Sequence, residues 1–342
     1  MSAAGAGDRR GPGEQRPTDG AHDRSHGRSH GPSHEHPRDL GAGTWLIDTL
    51  LAGQPAMVGV FVQELPDGSA LLIESGSGAT VDAVRDGLAA LSLGPDDVAA
   101  IVVTHVHLDH AAGAGTLSAW SDAPVYVHPR GARHLADPGR LWSSAARIYG
   151  DEMDRLWGPM EPVPTDRLRT LDDDQTWTVG GARYRVLHTP GHADHHLSVL
   201  DPHGGAFVGD AAGIVLPGIP LIRPALPPPE TDLEAAEASC EALAAAQPDR
   251  LLLTHFGAID DVHGHLRESV RRNRVWADEV RAGLDAGEDE AALIARMEAL
   301  EDRELDEVGV PAGARAPYKA SSDARMTVMG VSRYWRKRDE HR

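Results

Sequence analysis

The apolar positions fall into two β-rich stretches with helical segments between and after them. Order is expected from about Thr44. Met57–Gln63 and Ser69–Glu74 are apolar runs joined by Pro66-Asp67-Gly68, the pattern of a β-hairpin with turn residues at its tip. Thr80–Leu93 has helical periodicity and stops at Gly94-Pro95. Val98–Thr104 is apolar and largely β-branched, as expected of a strand buried on both faces. Pro124–His128 reads as another short strand. Residues 137–162 carry Trp142, Tyr149, Trp157 and Met160 in a stretch predicted to be helical.

The strand pattern then restarts with Gln175–Val179, Tyr184–His188, Leu197–Leu200 and Ala206–Val208. Residues 213–229 are apolar and proline-rich. Thr231–Ala246 is predicted to be a helix beginning at Thr231 or Glu230, and Arg250–Leu253 a last buried strand. From about His263 the chain is charged and helical, with apolar positions at Met326, Val328, Met329 and Trp335. There is one internal echo. Ile101-Val102-Val103-Thr104-His105 and Leu251-Leu252-Leu253-Thr254-His255 both end a predicted buried strand in Thr-His.

Residues 1–42 break the pattern, being rich in Gly, Pro, Ser, Arg and His and almost free of aliphatic side chains. Such a segment buries too little surface to offset its ordering entropy, so it is expected to be a disordered tail. His22, His26, His30, His34 and His36 recur in it, and a His-rich tract can bind divalent metal. The expected organisation is this tail over 1–42, a catalytic domain over 43–262 and a helical extension over 263–342.

Charge narrows the function. The 342 residues carry 52 acidic and 33 basic side chains, a formal net charge of −19. Affinity for a phosphate backbone or an anionic membrane surface comes from Lys and Arg, so neither partner is expected. No apolar run suggests a membrane span or a signal peptide. The one cysteine, Cys240, excludes an intrachain disulfide, and a cytoplasmic location is expected. Within an Ala-rich predicted helix, Cys240 reads as a small core residue rather than a catalyst.

Chemistry concentrates in His105-Val106-His107-Leu108-Asp109-His110, directly after a predicted buried strand. In an extended turn His105 and His107 point to one side and can chelate one ion. Asp109 and His110 lie where the chain enters the next element and can face a second. Imidazole with carboxylate suits Zn²⁺, with Fe, Mn or Co also able to bind. Further donors end later apolar runs, in Thr189-Pro190-Gly191-His192, Gly209-Asp210 and Thr254-His255.

The H-x-H-x-D-H run at 105–110, T-P-G-H at 189–192, G-D at 209–210 and T-H at 254–255 together resemble the metallo-β-lactamase superfamily, in order and spacing, across about residues 44–260. The resemblance implies an α+β four-layer αβ/βα sandwich with metals at one edge of two sheets, here followed by a C-terminal helical extension. It implies that His105, His107 and His192 hold a first metal and Asp109, His110 and His255 a second, with Asp210 bridging them. It makes His196 a supporting residue and His188 structural; His128, His134 and His195 are expected to be non-ligands. Relatives often carry Asp in a D-T-G segment after the first hairpin. This chain has Glu74-Ser75-Gly76, so the supporting hydrogen bond made there is not carried over.

Two divalent ions sharing a water would lower its pKa from about 15.7 toward 7, with Asp109 and Asp210 fixing it and carrying its proton. The expected function is therefore cleavage of a small carboxylic ester, thioester or lactone, as in the glyoxalase II-like and lactonase-like branches. A single-iron sulfur dioxygenase of the same fold, a phosphodiesterase, or metal storage and sensing are the alternatives. The 214–223 stretch, with Ile214, Leu216 and Arg223, is expected to overhang the site as an apolar pocket whose arginine meets an anionic group. Trp142, in the segment reaching to Trp157, is expected to form an opposing wall. The partner is expected to be a small-molecule substrate; substrate identity and oligomeric state stay open.

Overall fold

A computed structural model of the chain describes residues 37–340; the His-rich stretch from His22 to His36 lies outside them, and order is already present before the expected Thr44, since Arg38 and Asp39 pair with Leu46 and Trp45. The first sheet follows chain order. Its strands are β1 (Arg38–Asp39), β2 (Thr44–Asp48), β3 (Gly59–Glu64), β4 (Ala70–Ile73), β5 (Val98–Val102), β6 (Val125–Val127) and β7 (Leu168–Thr170). Pairing is antiparallel from β1 to β4 and parallel from β4 to β7. The second sheet is built from β8 (Thr176–Val179), β9 (Ala182–His188), β10 (Leu197–Leu200) and β11 (Gly205–Gly209). A small hairpin, β12 (Ile214–Val215) with β13 (Ile222–Arg223), follows, and β14 (Arg250–Leu253) and β15 (Gly257–Ile259) complete the sheet in the order β15-β14-β11-β10-β9-β8.

Alternation along the strands explains the layering. In the first sheet Phe61, Leu71, Ile73, Ala100 and Val102 face inward and meet Tyr184, Val186, Leu197, Val199, Phe207 and Leu252 of the second. The intervening residues Val60, Val62, Leu72 and Ile101 face the other way. They pack under the helices α1 (Val81–Ala90), α3 (Ala114–Ser121) and α4 (Pro129–Ala136); the short α2 (Leu108–Ala111) precedes α3. After α4 come α5 (Gly139–Tyr149) and α6 (Met153–Leu156). On the far side, Ala206, Val208, Leu251 and Leu253 pack against Cys240 and Leu243 of α7 (Leu233–Ala245) and Leu266 of α8 (Val262–Asp285). The result is the four-layer αβ/βα sandwich, helices outside and two sheets within.

Beyond it, α8, α9 (Glu290–Glu307) and α11 (Ala324–Glu340) form their own core around Trp276, Val280, Met297, Val328 and Val331, with α10 (Ala316–Ser321) between α9 and α11. Aspartates start the longer helices: Asp232, Asp261 and Asp289 accept from Ala235 N, Gly264 N and Ala292 N. The cap of α7 is thus Asp232, one residue past the expected Thr231. Residues 137–162 do not form one helix. Gly150, at φ +52°, ends α5, and α6 stops before Gly158-Pro159. Among the described residues no helix is long and apolar enough to cross a membrane.

Candidate metal centre

The strand ends that the sequence marks converge. His105 follows β5, His107 occupies the N-cap position of α2, and Asp109 and His110 lie in that helix. His192 sits in the turn between β9 and β10. That turn lies tight on α7, where a Cβ on Gly191 would come within 2.4 Å of Ala236 backbone. Asp210 follows β11 and His255 follows β14. The nitrogens His105 Nε2, His107 Nδ1 and His192 Nε2 lie 2.8–3.1 Å apart. A second group joins His110 Nε2, His255 Nε2 and Asp109 Oδ2 at 3.3–3.5 Å. Asp210 stands between them, with Oδ1 3.3 and 3.4 Å from His110 and His255 and Oδ2 3.4 Å from His192.

Outer hydrogen bonds fix which nitrogen of each ring faces inward. His192 Nδ1 donates to Ala225 O at 2.9 Å, His110 Nδ1 to Glu74 Oε1 at 3.0 Å, and His255 Nδ1 to Met57 O. His105 Nδ1 donates to Thr104 Oγ1 at 3.0 Å, because the Thr104 hydroxyl spends its own proton on Glu74. Each of these four imidazoles therefore turns a lone pair toward the centre, the arrangement of metal-ligating histidines. Lone pairs about 3 Å apart repel unless a cation lies between them. Asp210 Oδ1 is buried without a hydrogen-bond partner, an unmet acceptor in the same place. The donor set thus fits divalent cations held by imidazole and carboxylate.

Electrostatics agree. Burial, reinforced by neighbouring imidazoles, pushes His105 and His107 well below the usual histidine range, and burial lowers His192 although Asp210 opposes it. Burial acts the same way on His110, but Asp109, Asp210 and Glu74 outweigh it and raise that ring well above its usual value. Burial works to raise Asp109 and Asp210, yet His110 and His255 hold both carboxyls below the usual range. This side of the site favours positive charge.

Glu74 is where the sequence reading needs correction. Far from lacking a supporting bond, its fully buried carboxylate accepts from Thr104 N at 3.1 Å, the Thr104 hydroxyl, His110 Nδ1 and, at 3.2 Å, Thr254 Oγ1. The two Thr-His echoes, one from each sheet, meet on this residue. An acidic residue ending the apolar run Leu71-Leu72-Ile73 is the signal available for it in the sequence. His196 supports the site as expected of it: Nε2 accepts from Asp210 N at 3.2 Å and Nδ1 contacts Thr189 Oγ1 at 2.8 Å. His188 Nε2 donates to Asp194 O, and His128 Nδ1 accepts from Arg130 N. His134 and His195 lie 6.2 Å apart, ring to ring, outside both ligand groups.

A cavity of about 780 Å³ opens onto His107, Asp109, His192, Asp210 and His255. Its lining includes Leu108, Ile148, Tyr149, Leu156 and Trp157, Ile214 and Pro227–Pro229, and most of the stretch Ala316–Met326. Of the four residues expected to line a pocket, Ile214 does so. Leu216 is buried in a cluster with Met57, Val58 and Tyr318 behind it. Trp142 borders a separate cavity with Pro138 and Met160. Arg223 is fully buried and faces the C-terminal helices: it pairs with Glu301 at 2.7 Å and lies 5.0 Å over the rings of Trp276 and Tyr318. Its guanidinium is thus committed internally instead of facing an incoming anion.

Comparison with known proteins bears on this arrangement. A family model described as the metallo-beta-lactamase superfamily matches residues 55–255. The metallo-beta-lactamase fold-containing protein ST1585 of Sulfurisphaera tokodaii is 27% identical over 192 residues, which is 55% of this chain and 70% of that one. The hydroxyacylglutathione hydrolase of Idiomarina loihiensis is 30% identical over 110 residues, 32% of this chain and 31% of that protein. The crystal structure of a metallo-beta-lactamase family protein from Thermus thermophilus, TTHA1429, shares the fold over 89% of this chain and 95% of its own, with a TM-score of 0.60 and 23% identity.

Proposed function

The chain belongs to the metallo-β-lactamase superfamily, and on that premise we propose that it is a two-metal hydrolase of small carboxylic esters, thioesters or lactones, with zinc the best-suited ion. The observation that carries this reading is the place of Asp210, an unpartnered carboxylate oxygen between two donor triads at the floor of a largely apolar cavity. His105, His107 and His192 would hold one ion, Asp109, His110 and His255 the other, and Asp210 both. Two such ions supply a nucleophile from water at neutral pH and Lewis acidity toward a carbonyl oxygen.

The chain's own residues supply the rest. Asp109 and Asp210, kept ionised beside His110 and His255, would orient a water by accepting its hydrogen bonds and pass its proton on without retaining it. Leu108, Ile148 and Trp157 exclude water and seat an acyl or lactone carbon chain. Ligand imidazoles locked by Ala225, Met57 and Glu74 need no reorganisation as charge develops. The distant likeness to a hydroxyacylglutathione hydrolase is consistent with ester or thioester chemistry.

The test is a panel of thioesters, lactones and phosphodiesters assayed on metal-quantified protein. Two zinc ions per chain with oxygen-independent cleavage of thioesters or lactones is expected. A single iron with oxygen consumption on persulfides would replace this reading with an oxidoreductase, and preference for phosphodiesters would move the substrate class.

A further inference from the structure

The cavity is not built by the sandwich alone. Glu298 and Glu301 of α9, all but Tyr318 of the stretch Ala316–Ala324, and Met326 line it together with Tyr149 and Trp157. The side chains of Ala316, Pro317, Ala320 and Ala324 are small and carry no charge, so this wall leaves room rather than filling it.

The charges on the cavity wall are unevenly matched. Arg155 is held by Glu152 at 2.7 Å, Lys319 by Asp302 at 2.7 Å, and Glu301 is neutralised by Arg223 at 2.7 Å. Glu298 and Asp323 remain, with no ion pair to a cation among the described residues. Asp323 acts across the space: after burial and Asp109, it is the third influence raising the Tyr149 phenol. This wall therefore combines small apolar side chains with two carboxylates that no cation pairs with among the described residues, while the donor groups that share the cavity are suited to hold cations.

We propose that the C-terminal segment Glu298–Met326 is the specificity wall of this pocket, admitting a substrate whose distal end is uncharged and apolar and turning away one that ends in a carboxylate or phosphate. Thioesters of strongly anionic carriers are then poor substrates, and neutral lactones and short-chain acyl esters good ones. The proposal rests on the hydrolase reading for its kinetic readout but not for its readout by binding.

Three p-nitrophenyl esters of equal length separate the effects: hexanoyl, adipoyl with a distal carboxylate, and 6-aminohexanoyl with a distal ammonium. On the metal-loaded enzyme, kcat/KM is expected to fall in the order hexanoyl, aminohexanoyl, adipoyl. The last two should differ by roughly five-fold or more, the scale of two part-screened surface charges. E298Q/D323N is expected to bring the charged pair together, and added salt should do the same only for the wild type. Asn at position 323 keeps the acceptor now used by Arg325 N at 2.8 Å, so α11 retains its start. Equal rejection of both charged esters would mean that desolvation alone selects, and an unchanged ratio in the variant would place the selection elsewhere; either overturns the proposal. If no ester is cleaved, the hydrolase reading fails by itself. Binding of hexanamide, 6-aminohexanamide and adipic monoamide, followed by titration calorimetry, then reads the same order.

Discussion

Replacing Glu74 by Gln tests the hub of the site without changing its volume. Oε1 accepts from the Thr104 hydroxyl, His110 Nδ1 and Thr254 Oγ1, and Oε2 accepts from Thr104 N. A carboxamide has one oxygen to offer. With that oxygen in the Oε1 position, the amide NH₂ meets the Thr104 N–H, a fixed donor. With it in the Oε2 position, NH₂ meets His110 Nδ1–H. Either way one buried donor faces another, at a cost of about 1–3 kcal/mol. His110 can escape only by moving its proton to Nε2, which removes the lone pair aimed at Asp109, Asp210 and His255. Affinity for the second metal should then fall about 10–100-fold, the usual effect of losing an outer partner of a ligand. Competition against a chromophoric chelator, with a parallel melting curve, measures both quantities. Wild-type metal affinity together with wild-type Tm in E74Q would show that Glu74 neither orders His110 nor satisfies the Thr104 N–H.

Asp210→Ala removes the one carboxylate that reaches both donor groups, so a large loss of turnover and weaker binding of the second metal are expected; near-normal activity would sink the two-metal assignment. Gly330→Ala in α11 is expected to destabilise by about 1–3 kcal/mol through overpacking, outweighing the helix-propensity gain of up to about 1 kcal/mol, since its Cβ would lie 2.2 Å from Leu226 O. A Tm at or above wild type would show that the backbone there yields freely. Burial, then His188, lowers His128 to about 4, so this ring stays neutral in the fold where the unfolded chain protonates near 6.5. The unfolded state then binds more protons, and stability is lost as pH falls from about 6.5 to 4; denaturant midpoints of His128→Gln should show a shallower decline than wild type. Burial pushes the Cys240 thiol up to about 12, so alkylation at about pH 8 should be negligible in the native protein and rapid after denaturation.

Much of the sandwich can be read from period-two patterning, because its strands are buried on one or both faces and the pattern records which. The hairpin β3–β4, the buried β5 and the restart at β8–β11 all follow from it. Strands β7 and β15 do not, since Leu168–Thr170 and Gly257–Ile259 are three-residue edges with exposed positions and no periodicity long enough to register. The cap of α7 is equally hidden, because Glu230, Thr231 and Asp232 are all polar starts, and only the bond to Ala235 N chooses among them.

Local clustering makes the candidate metal donors legible: four lie within six residues and the others close strand-end motifs. What surrounds them is not local. Glu74 acts on Thr104, His110 and Thr254, up to 180 residues away, so its role follows from the pairing of two sheets rather than from any motif. Its position between two donors suggests Arg223 as a cation over the site, yet its partner Glu301 lies 78 residues on in α9. A lone buried arginine costs so much that its location is decided by where a carboxylate can meet it, and here that is the C-terminal helices. The consequence runs back to the centre. Arg223 anchors β13 to α9, and Gly330 lets α11 reach the Leu226–Pro227 backbone, next to the Ala225 carbonyl that orients His192. The helices that follow the sandwich thus contribute both to the wall of the cavity and to the aim of His192, and a chain cut after β15 is expected to lose both.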